Sequence, residues 1–327
     1  MEQRVVTIIG GTGFVGRYVV KQLAAAGYTL RVISRHPNMA LHLKTSGSVG
    51  QIVLMEGNLG DPQSLNGKIE GSYAVINLVG IMFESGKQTF AALHTHGVEK
   101  LAQMARAAGV KRFIHVSALG VDKASGSHYA RSKMLGEKAV LDAFPQATIL
   151  RPSVIFGPED NFLNLFACMA SLSPALPLIN SGQTRFQPVY VGDVAKAVEV
   201  CLNRPDTMGQ LYELGGPEVL TFRDIVKHVM QIIGKQRLLV SLPTPIASAI
   251  GFCCETPVLS IPFDLFSLLA ALPVPNQPLL TRDQVKLLKY DNIVSSTTHH
   301  FAALGISPTA MDMVVPEYLA RFHKKVA

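Results

Sequence analysis

Three side chains in this sequence have the types and the spacing for proton transfer. Tyr129 and Lys133 lie four residues apart in YARSK, so on a helix they share one face. Ser117 comes shortly before them, near the end of RFIHVSA, a run that reads as a buried strand. Free tyrosine titrates near ~10 and needs help to move a proton at neutral pH. A lysine ammonium beside it lowers its pKa, and a serine hydroxyl can orient a carbonyl or an alcohol. Ser117, Tyr129 and Lys133 are therefore the candidate catalytic residues, suited to moving a proton on oxygen while a hydride moves on carbon. That chemistry needs a hydride carrier and no metal.

A site for the carrier is written near the start of the chain. VVTIIGGTGFVG is an apolar strand followed by a glycine-rich turn that opens a helix, with Gly10, Gly13 and Gly16 in GxxGxxG spacing. Gly10 permits the tight turn, Gly13 lets backbone approach a pyrophosphate, and Gly16 allows close packing of helix on strand. The exposed amides and the positive end of the helix dipole then meet the phosphates of a nicotinamide dinucleotide. Thr12, Phe14, Val15 and Arg17 belong to the same turn and helix start. The second strand ends in Ser34-Arg35, where an NAD binder usually places an acidic residue for the ribose hydroxyls. A guanidinium there favours the 2′-phosphate of NADP(H), with NAD(H) still admissible, and Arg17 is placed to reach the same phosphate. Ligands lie beyond the carboxyl ends of parallel strands, which adds Asn58 and Leu59, Val79 and Gly80, and Pro152 and Ser153 to the cofactor-binding set.

These residues need a scaffold, and the hydrophobic pattern supplies one. Strands are expected at residues 4–9, 30–34, 51–59, 73–80, 112–118 and 147–157. Helices are expected at 14–26, ended by Gly27, at 88–108, ended by Gly109, and at 126–143. Such alternation predicts an α/β chain with a Rossmann-type doubly wound parallel sheet. The rhythm then loosens. Residues 160–186 read as an apolar helix with a proline-rich exit, and 188–202 as a segment that starts extended and turns helical with Asp193 as cap. A strand follows at 211–216, then a helix capped by Thr221 that runs to about 233. The implied organisation is a nucleotide-binding core over 1–159, an insertion into a second lobe over 160–186, a returning core segment over 187–216, and a smaller, mainly C-terminal second lobe over 217–327 for substrate or partner.

Composition narrows the function classes. The 327 residues are 48% hydrophobic and only 16% charged, with mean hydropathy +0.27, more apolar than a typical soluble enzyme. Net charge is +7, but the basic residues are scattered, which argues against nucleic acid. Cys168, Cys201, Cys253 and Cys254 form no CxxC, and neither His94 and His96 nor His299 and His300 has metal-ligand spacing, so no metal site is expected. The four thiols suit a reducing compartment. MEQR leads directly into the first strand, so neither a secretory nor a transit leader is expected. The most apolar region, 238–281, is interrupted by Glu255, Asp264 and prolines at 243, 245, 257, 262, 273, 275 and 278, which argues against a membrane span.

Longer motifs carry a resemblance. HVSALG at 115–120, HYARSKMLGEKAV at 128–140, TILRPSVIFGPEDNFLNLF at 148–166, RFQPVYVGDVA at 185–195, YELGGPEVLTF at 212–222 and PLLTRDQVKLLKYDNIV at 278–294 span most of the chain. With the glycine turn and YxxxK, the sequence resembles the extended and atypical short-chain dehydrogenase/reductase superfamily. Within it, the long motifs resemble the nucleotide-binding accessory subunit of respiratory complex I (NADH:ubiquinone oxidoreductase) and its bacterial homologues. That resemblance implies tightly held, structural NADP(H), complex I subunits as partners, and a place where the peripheral arm meets the membrane arm, near the ubiquinone site. Some members lack part of the catalytic group. This sequence keeps Ser117, Tyr129 and Lys133, so enzyme activity stays open. Three functions follow: an accessory or assembly protein of the respiratory chain with structural nucleotide; a free NADPH-dependent oxidoreductase or epimerase acting on a small carbonyl, quinone-like or sugar-nucleotide substrate; or a sensor of the NADPH/NADP⁺ ratio. The sequence departs from the superfamily pattern at His94, where Asn is usual, and at Asn58, where Asp is frequent. The expected location is cytoplasmic, peripheral on an anionic membrane at the inner face of a bacterial inner membrane, or on the matrix side for a processed chain.

Overall fold

Apolar runs without alternation, such as VVTII and AVIN, can be stable only if both faces are covered, and they form the middle of a parallel sheet. The computed structural model describes residues 4–255, 278 and 280–323. In chain order the strands are β1 Val5–Ile9, β2 Thr29–Ser34, β3 Ile52–Glu56, β4 Ala74–Asn77, β5 Arg112–Val116 and β6 Thr148–Pro152. Four short strands follow, β7 Ile155–Phe156, β8 Ala175–Ile179, β9 Arg185–Phe186 and β10 Val189–Tyr190, and then β11 Leu211–Leu214. Seven strands make one sheet in the order β11-β6-β5-β4-β1-β2-β3, with every pair parallel. The chain builds outward from β1 to β3 and then crosses back to β4, so the winding reverses between β1 and β4. Ligands of such sheets bind outside the strand ends at this reversal.

The chain divides into two units. The first comprises residues 1–152, 191–215 and 294–308 and holds the whole seven-stranded sheet. Its helices are α1 Phe14–Ala25, α2 Gly97–Ala107, α3 His128–Ala143 and, after α4 Leu163–Leu172 of the other unit, α5 Val191–Asn203. One face of α2 buries Leu101, Ala102 and Ala105 in a core with Phe113, Val140, Phe144 and Ile149, where the Phe113 and Phe144 rings lie 5.6 Å apart. The second unit comprises 153–190, 216–293 and 309–327. Its centre is aromatic: Phe162, Phe166, Phe186 and Phe222 form one cluster, with 5.2 Å between the Phe166 and Phe222 ring centroids. There β12 Leu220–Thr221 leads into α6 Phe222–Ile232, and β13 Leu238–Leu242 leads into α7 Thr244–Glu255. Thr221 caps α6 as its sequence suggests, its hydroxyl accepting from the Asp224 amide at 3.1 Å.

Several elements differ from the sequence expectation. The helix expected over 88–108 opens with a π-helical turn, Ala91–His96, before α2 begins. Glycines let two neighbours press against it: a Cβ on Gly136 of α3 would fall 1.9 Å from the His94 carbonyl oxygen, and one on Gly97 only 2.5 Å from that of Leu59. The strand expected over 147–157 breaks after Pro152, because β7 pairs with β10 instead of continuing in the main sheet. Residues 160–186 are not one helix. α4 stops before Pro174, and β8 follows, paired in parallel with β13. Asp193 lies inside the first turn of α5 rather than at its cap, still where a negative charge suits the dipole. Of the features expected to interrupt the apolar region, Pro257, Pro262, Asp264, Pro273 and Pro275 lie outside the described residues. Among the described residues no helix is long and apolar enough to cross a membrane.

A buried arginine closes one end of the first unit. Arg112 opens β5, is 5% exposed, and donates to the carbonyls of Cys201 and Arg204 (2.7 Å) and to Thr207 Oγ1 (2.8 Å). It thus serves carbonyls at the end of α5, where the dipole favours a cation. Arg112→Met is expected to destabilise the protein by about 2–3 kcal/mol, since it strands those acceptors. Urea unfolding checks this, and an unchanged midpoint would show that the cap carries no load.

Candidate functional site

The glycine turn sits at the reversal of the sheet. Gly10 has φ +83°, and a Cβ there would lie 3.1 Å from Leu78 C and Val79 N at the exit of β4. A Cβ on Gly16 would fall 2.3 Å from the Gly10 carbonyl oxygen, a backbone atom that cannot give way. Gly13 differs: it is exposed, and its added Cβ would meet only Gly10 O at 3.4 Å, an ordinary contact. Gly13 is the N-cap of α1, with no side-chain cap and no acidic residue in the first turn. The leading amides of a twelve-residue helix are thus left for an anion, as a pyrophosphate group requires. The residues present fit a dinucleotide.

The other expected contacts lie on several elements. Thr12 Oγ1 and Ser34 Oγ are 3.4 Å apart, which ties the turn to the end of β2, and Ser34 Oγ also accepts from the His36 amide at 3.3 Å. Arg35 follows, exposed. Phe14 and Val15 are half-buried, the Phe14 ring standing edge-on to Tyr18, and the Arg17 amide bonds to Gly13 O at 3.1 Å. β3 ends at Glu56, earlier than expected, so Asn58 lies in a turn where its Oδ1 accepts from the Gly60 amide at 3.0 Å. The Leu59 side chain packs in the core, and its carbonyl lies against Gly97. Pro152 closes β6. Ser153 falls in the second unit, where its hydroxyl bonds to Asn292 Oδ1 at 2.6 Å.

Lys133 bridges the exits of β4 and β5. It is 3% exposed, and its Nζ lies 3.4 Å from Val79 O, 3.3 Å from Val116 O and 3.2 Å from where a Gly80 Cβ would stand. Burial pulls its pKa down to about 8, although Glu137 one turn along α3 works the other way. Ser117 stands just past β5, its amide bonded to Leu150 O at 2.8 Å. Its hydroxyl is buried and has no hydrogen-bond partner among the described residues. A buried hydroxyl left so costs ~1–3 kcal/mol, which a ligand oxygen or amide would recover. Tyr129 is half-buried, its ring edge-on to His94 at 5.5 Å and to Phe90 at 5.9 Å. Burial pushes its hydroxyl up to about 12, against the lowering by Lys133 that the spacing suggests. At neutral pH Tyr129 therefore holds its proton.

Two histidines that sequence reasoning left out of the site stand in this cluster. His94 Nε2 accepts from the Ile81 amide at 3.0 Å, and its Nδ1 lies 2.9 Å from Ser132 Oγ. His115 Nδ1 lies 3.0 Å from Asn77 Nδ2, while its Nε2 is buried with no partner among the described residues. Burial, then the Lys133 charge, then His115 push His94 down to about 2; burial and Lys133 push His115 down to about 3. Behind them, Arg151 of β6 pairs with Glu137 at 2.7 Å, Asp122 at 3.3 Å and Glu213 at 3.8 Å. The available signal was a polar residue inside an otherwise apolar strand: Asn77 in AVIN, His115 in RFIHV, Arg151 in TILRP and Glu213 in LYEL. Among the described residues, no group of acidic, His and Cys side chains could hold a metal ion.

Known proteins resemble this chain in sequence and in fold. The model of the NAD dependent epimerase/dehydratase family matches residues 6–215. The chain is 36% identical to NADH dehydrogenase (ubiquinone) 1 alpha subcomplex subunit 9, mitochondrial, of Arabidopsis thaliana, over 98% of this chain and 78% of that protein. It is 35% identical to the ceramide reductase of Caulobacter vibrioides over 74% of each. In structure it resembles dTDP-glucose 4,6-dehydratase of Streptomyces venezuelae, solved with NAD bound, with TM-score 0.62 and 21% identity over 73% of this chain and 84% of that one.

Two outcomes are expected from this geometry. Gly16→Ala lowers the melting temperature by several degrees, because its Cβ has only backbone to push against, whereas Gly13→Ala melts like the parent and loses dinucleotide affinity. Paired thermal melts and calorimetric titrations read both, and equal melting losses would overturn the assignment. The second outcome concerns acid. Both histidines have native pKa values far below the ~6.5 of an unfolded chain. Their stabilising contribution is full above pH ~6.5 and is lost as pH falls toward 3, because the unfolded chain takes protons that the native one refuses. The loss is at most about 1.4 kcal/mol per pH unit for each histidine. His115→Gln should flatten the decline of the urea midpoint between about pH 7 and pH 4; an identical slope would sink the assignment.

Proposed function

The chain belongs to the NAD dependent epimerase/dehydratase family of short-chain dehydrogenase/reductase-like proteins, related to the accessory subunits of complex I, and on that premise we propose that it holds NADP(H) as a structural part of its fold and serves a respiratory complex as an accessory or assembly protein. The observation that carries the nucleotide reading is the uncapped start of α1 at the sheet reversal, with Ser34 and the exposed Arg35 where an acidic residue would select NAD(H). In this reading the amides beyond Gly13 take the pyrophosphate, and Arg35, helped by Arg17, takes the adenosine 2′-phosphate. Asn58, Leu59, Val79 and Gly80 line the adenosine side. Lys133 donates to the nicotinamide ribose, since its two carbonyl contacts are long and one ammonium hydrogen is left to give. A ligand that binds only the native state adds stability by mass action, about 2.7 kcal/mol at a hundredfold excess over Kd.

The assembly role is supported by likeness to the Arabidopsis subunit over nearly all of this chain. The net charge of +7 suits an anionic membrane face or protein partner, and the protein is read as peripheral on such a membrane. A second reading, a free reductase, is favoured by the Ser117 hydroxyl that lacks a partner and by likeness to the Caulobacter reductase. When bound, the nicotinamide supplies a hydride. Ser117 would hold the substrate oxygen, and Tyr129, protonated at neutral pH, would give it a proton as the carbonyl is reduced, with Lys133 holding the charge nearby.

NADPH is expected to bind at least about tenfold tighter than NADH, and Arg35→Ser to reduce the gap to about threefold or less. Equal dissociation constants in the parent would refute the selectivity. Native mass spectrometry after gentle purification should find bound NADP(H) and respiratory-complex subunits. A free pool that reduces a carbonyl substrate at 340 nm, with that turnover lost in Tyr129→Phe, would instead establish the reductase.

A further inference from the structure

His94 is held more completely than a core histidine needs to be. Its Nε2 accepts a hydrogen bond from the Ile81 amide, so that nitrogen carries no proton, and the ring proton sits on Nδ1. Nδ1–H then donates to Ser132 Oγ, which donates to the Tyr129 carbonyl oxygen at 2.7 Å. A single tautomer satisfies every bond. The ring is wholly buried, stacked on Phe90 at 5.4 Å and met edge-on by Tyr129. Its backbone is fixed as well, because the π-helical turn presses the His94 carbonyl against Gly136 of α3. The two ends of this imidazole reach different walls of the site. Ile81 is two residues beyond Val79, whose carbonyl faces Lys133 Nζ, and Ser132 directly precedes Lys133 on α3.

We propose that His94 is a positioning residue: in its Nδ1–H form it ties the loop after β4 to the helix that carries Tyr129 and Lys133, and so sets the spacing between the nucleotide floor and the proton-transfer group. This rests on the nucleotide reading above. A cross-tie of this kind has a separable chemistry at each end. Glutamine can place an acceptor near the Nε2 position and keep the Ile81 bond. Asparagine reaches only as far as Nδ1, so it can keep the Ser132 bond and loses the loop. Leucine keeps neither.

Nitrogen-15 NMR of the parent's histidines tests the tautomer without any substitution. The expected His94 signal has a protonated Nδ1 and a bare Nε2, unchanged between about pH 5 and pH 9. A protonated Nε2, or a signal that titrates in that range, overturns the proposal. Calorimetry with NADPH tests the cross-tie. His94→Gln should stay within about threefold of the parent, and His94→Asn and His94→Leu should bind about tenfold or more weakly, with altered fluorescence of the bound NADPH. If the parent binds and His94→Gln suffers as much as His94→Asn, or neither suffers, the positioning role is wrong while the nucleotide site stands. If the parent does not bind NADPH, the nucleotide reading fails. Amide exchange at Ile81, protected in the parent and His94→Gln and fast in His94→Asn, then decides the cross-tie alone, and equal protection in all three would overturn it.

Discussion

An ammonium kept almost dry is the constraint around which the first unit is arranged. Lys133 is 3% exposed, and what surrounds its Nζ is mainly backbone: the carbonyls of Val79 and Val116, at the exits of two adjacent strands. Carbonyls stabilise a cation without neutralising it, so the charge remains available to a ligand. Its field is also what holds the neighbouring histidines neutral, after burial has done most of that work. Glycine at position 80 follows from the same constraint, since any side chain there would meet the ammonium.

The order of the sheet explains how so few residues gather so much. With β4 placed between β1 and β5, the first turn of the chain, the loop after β4 and the start of the segment after β5 open at the same edge. Gly10 touches the β4 exit, and Lys133 touches both the β4 and the β5 exits. The uncapped start of α1 and the helix that carries Tyr129 and Lys133 thus approach one rim, although 116 positions separate Gly13 from Tyr129 in the sequence. Arg151 and its carboxylates brace this rim from behind, tying α3 to β6 and to β11 beyond it.

What could be read without coordinates was what depends on near neighbours along the chain. Strand runs such as TLRVIS, the glycine turn and the YxxxK spacing carry their own local physics, and the parallel α/β fold emerged as expected. What escaped depends on which strands lie side by side. His115 looks like an ordinary strand residue until Asn77 is across from it, and the register that pairs them is set by the whole sheet. The π-helical turn packs its His94 carbonyl against Gly136, some forty residues away, and the break after Pro152 was hidden because β7 has its partner at β10. The tyrosine was misjudged for a related reason. Helical spacing says that Tyr129 and Lys133 share a face, but it does not say how deeply that face is buried, and depth governs the hydroxyl.

The discontinuity of the first unit has a consequence for how the protein is born. Six of its seven sheet strands are complete by residue 152, yet β11, which covers the open side of β6, lies about sixty residues further on, beyond an excursion into the other unit. Helix α5, which packs on α1, arrives just before it. A chain growing from the ribosome therefore carries an almost finished sheet with the hydrogen-bonding edge of β6 still bare and one helix missing from its flank. That interval is when a nascent copy is open to mispairing with another, and when a molecular chaperone would find it.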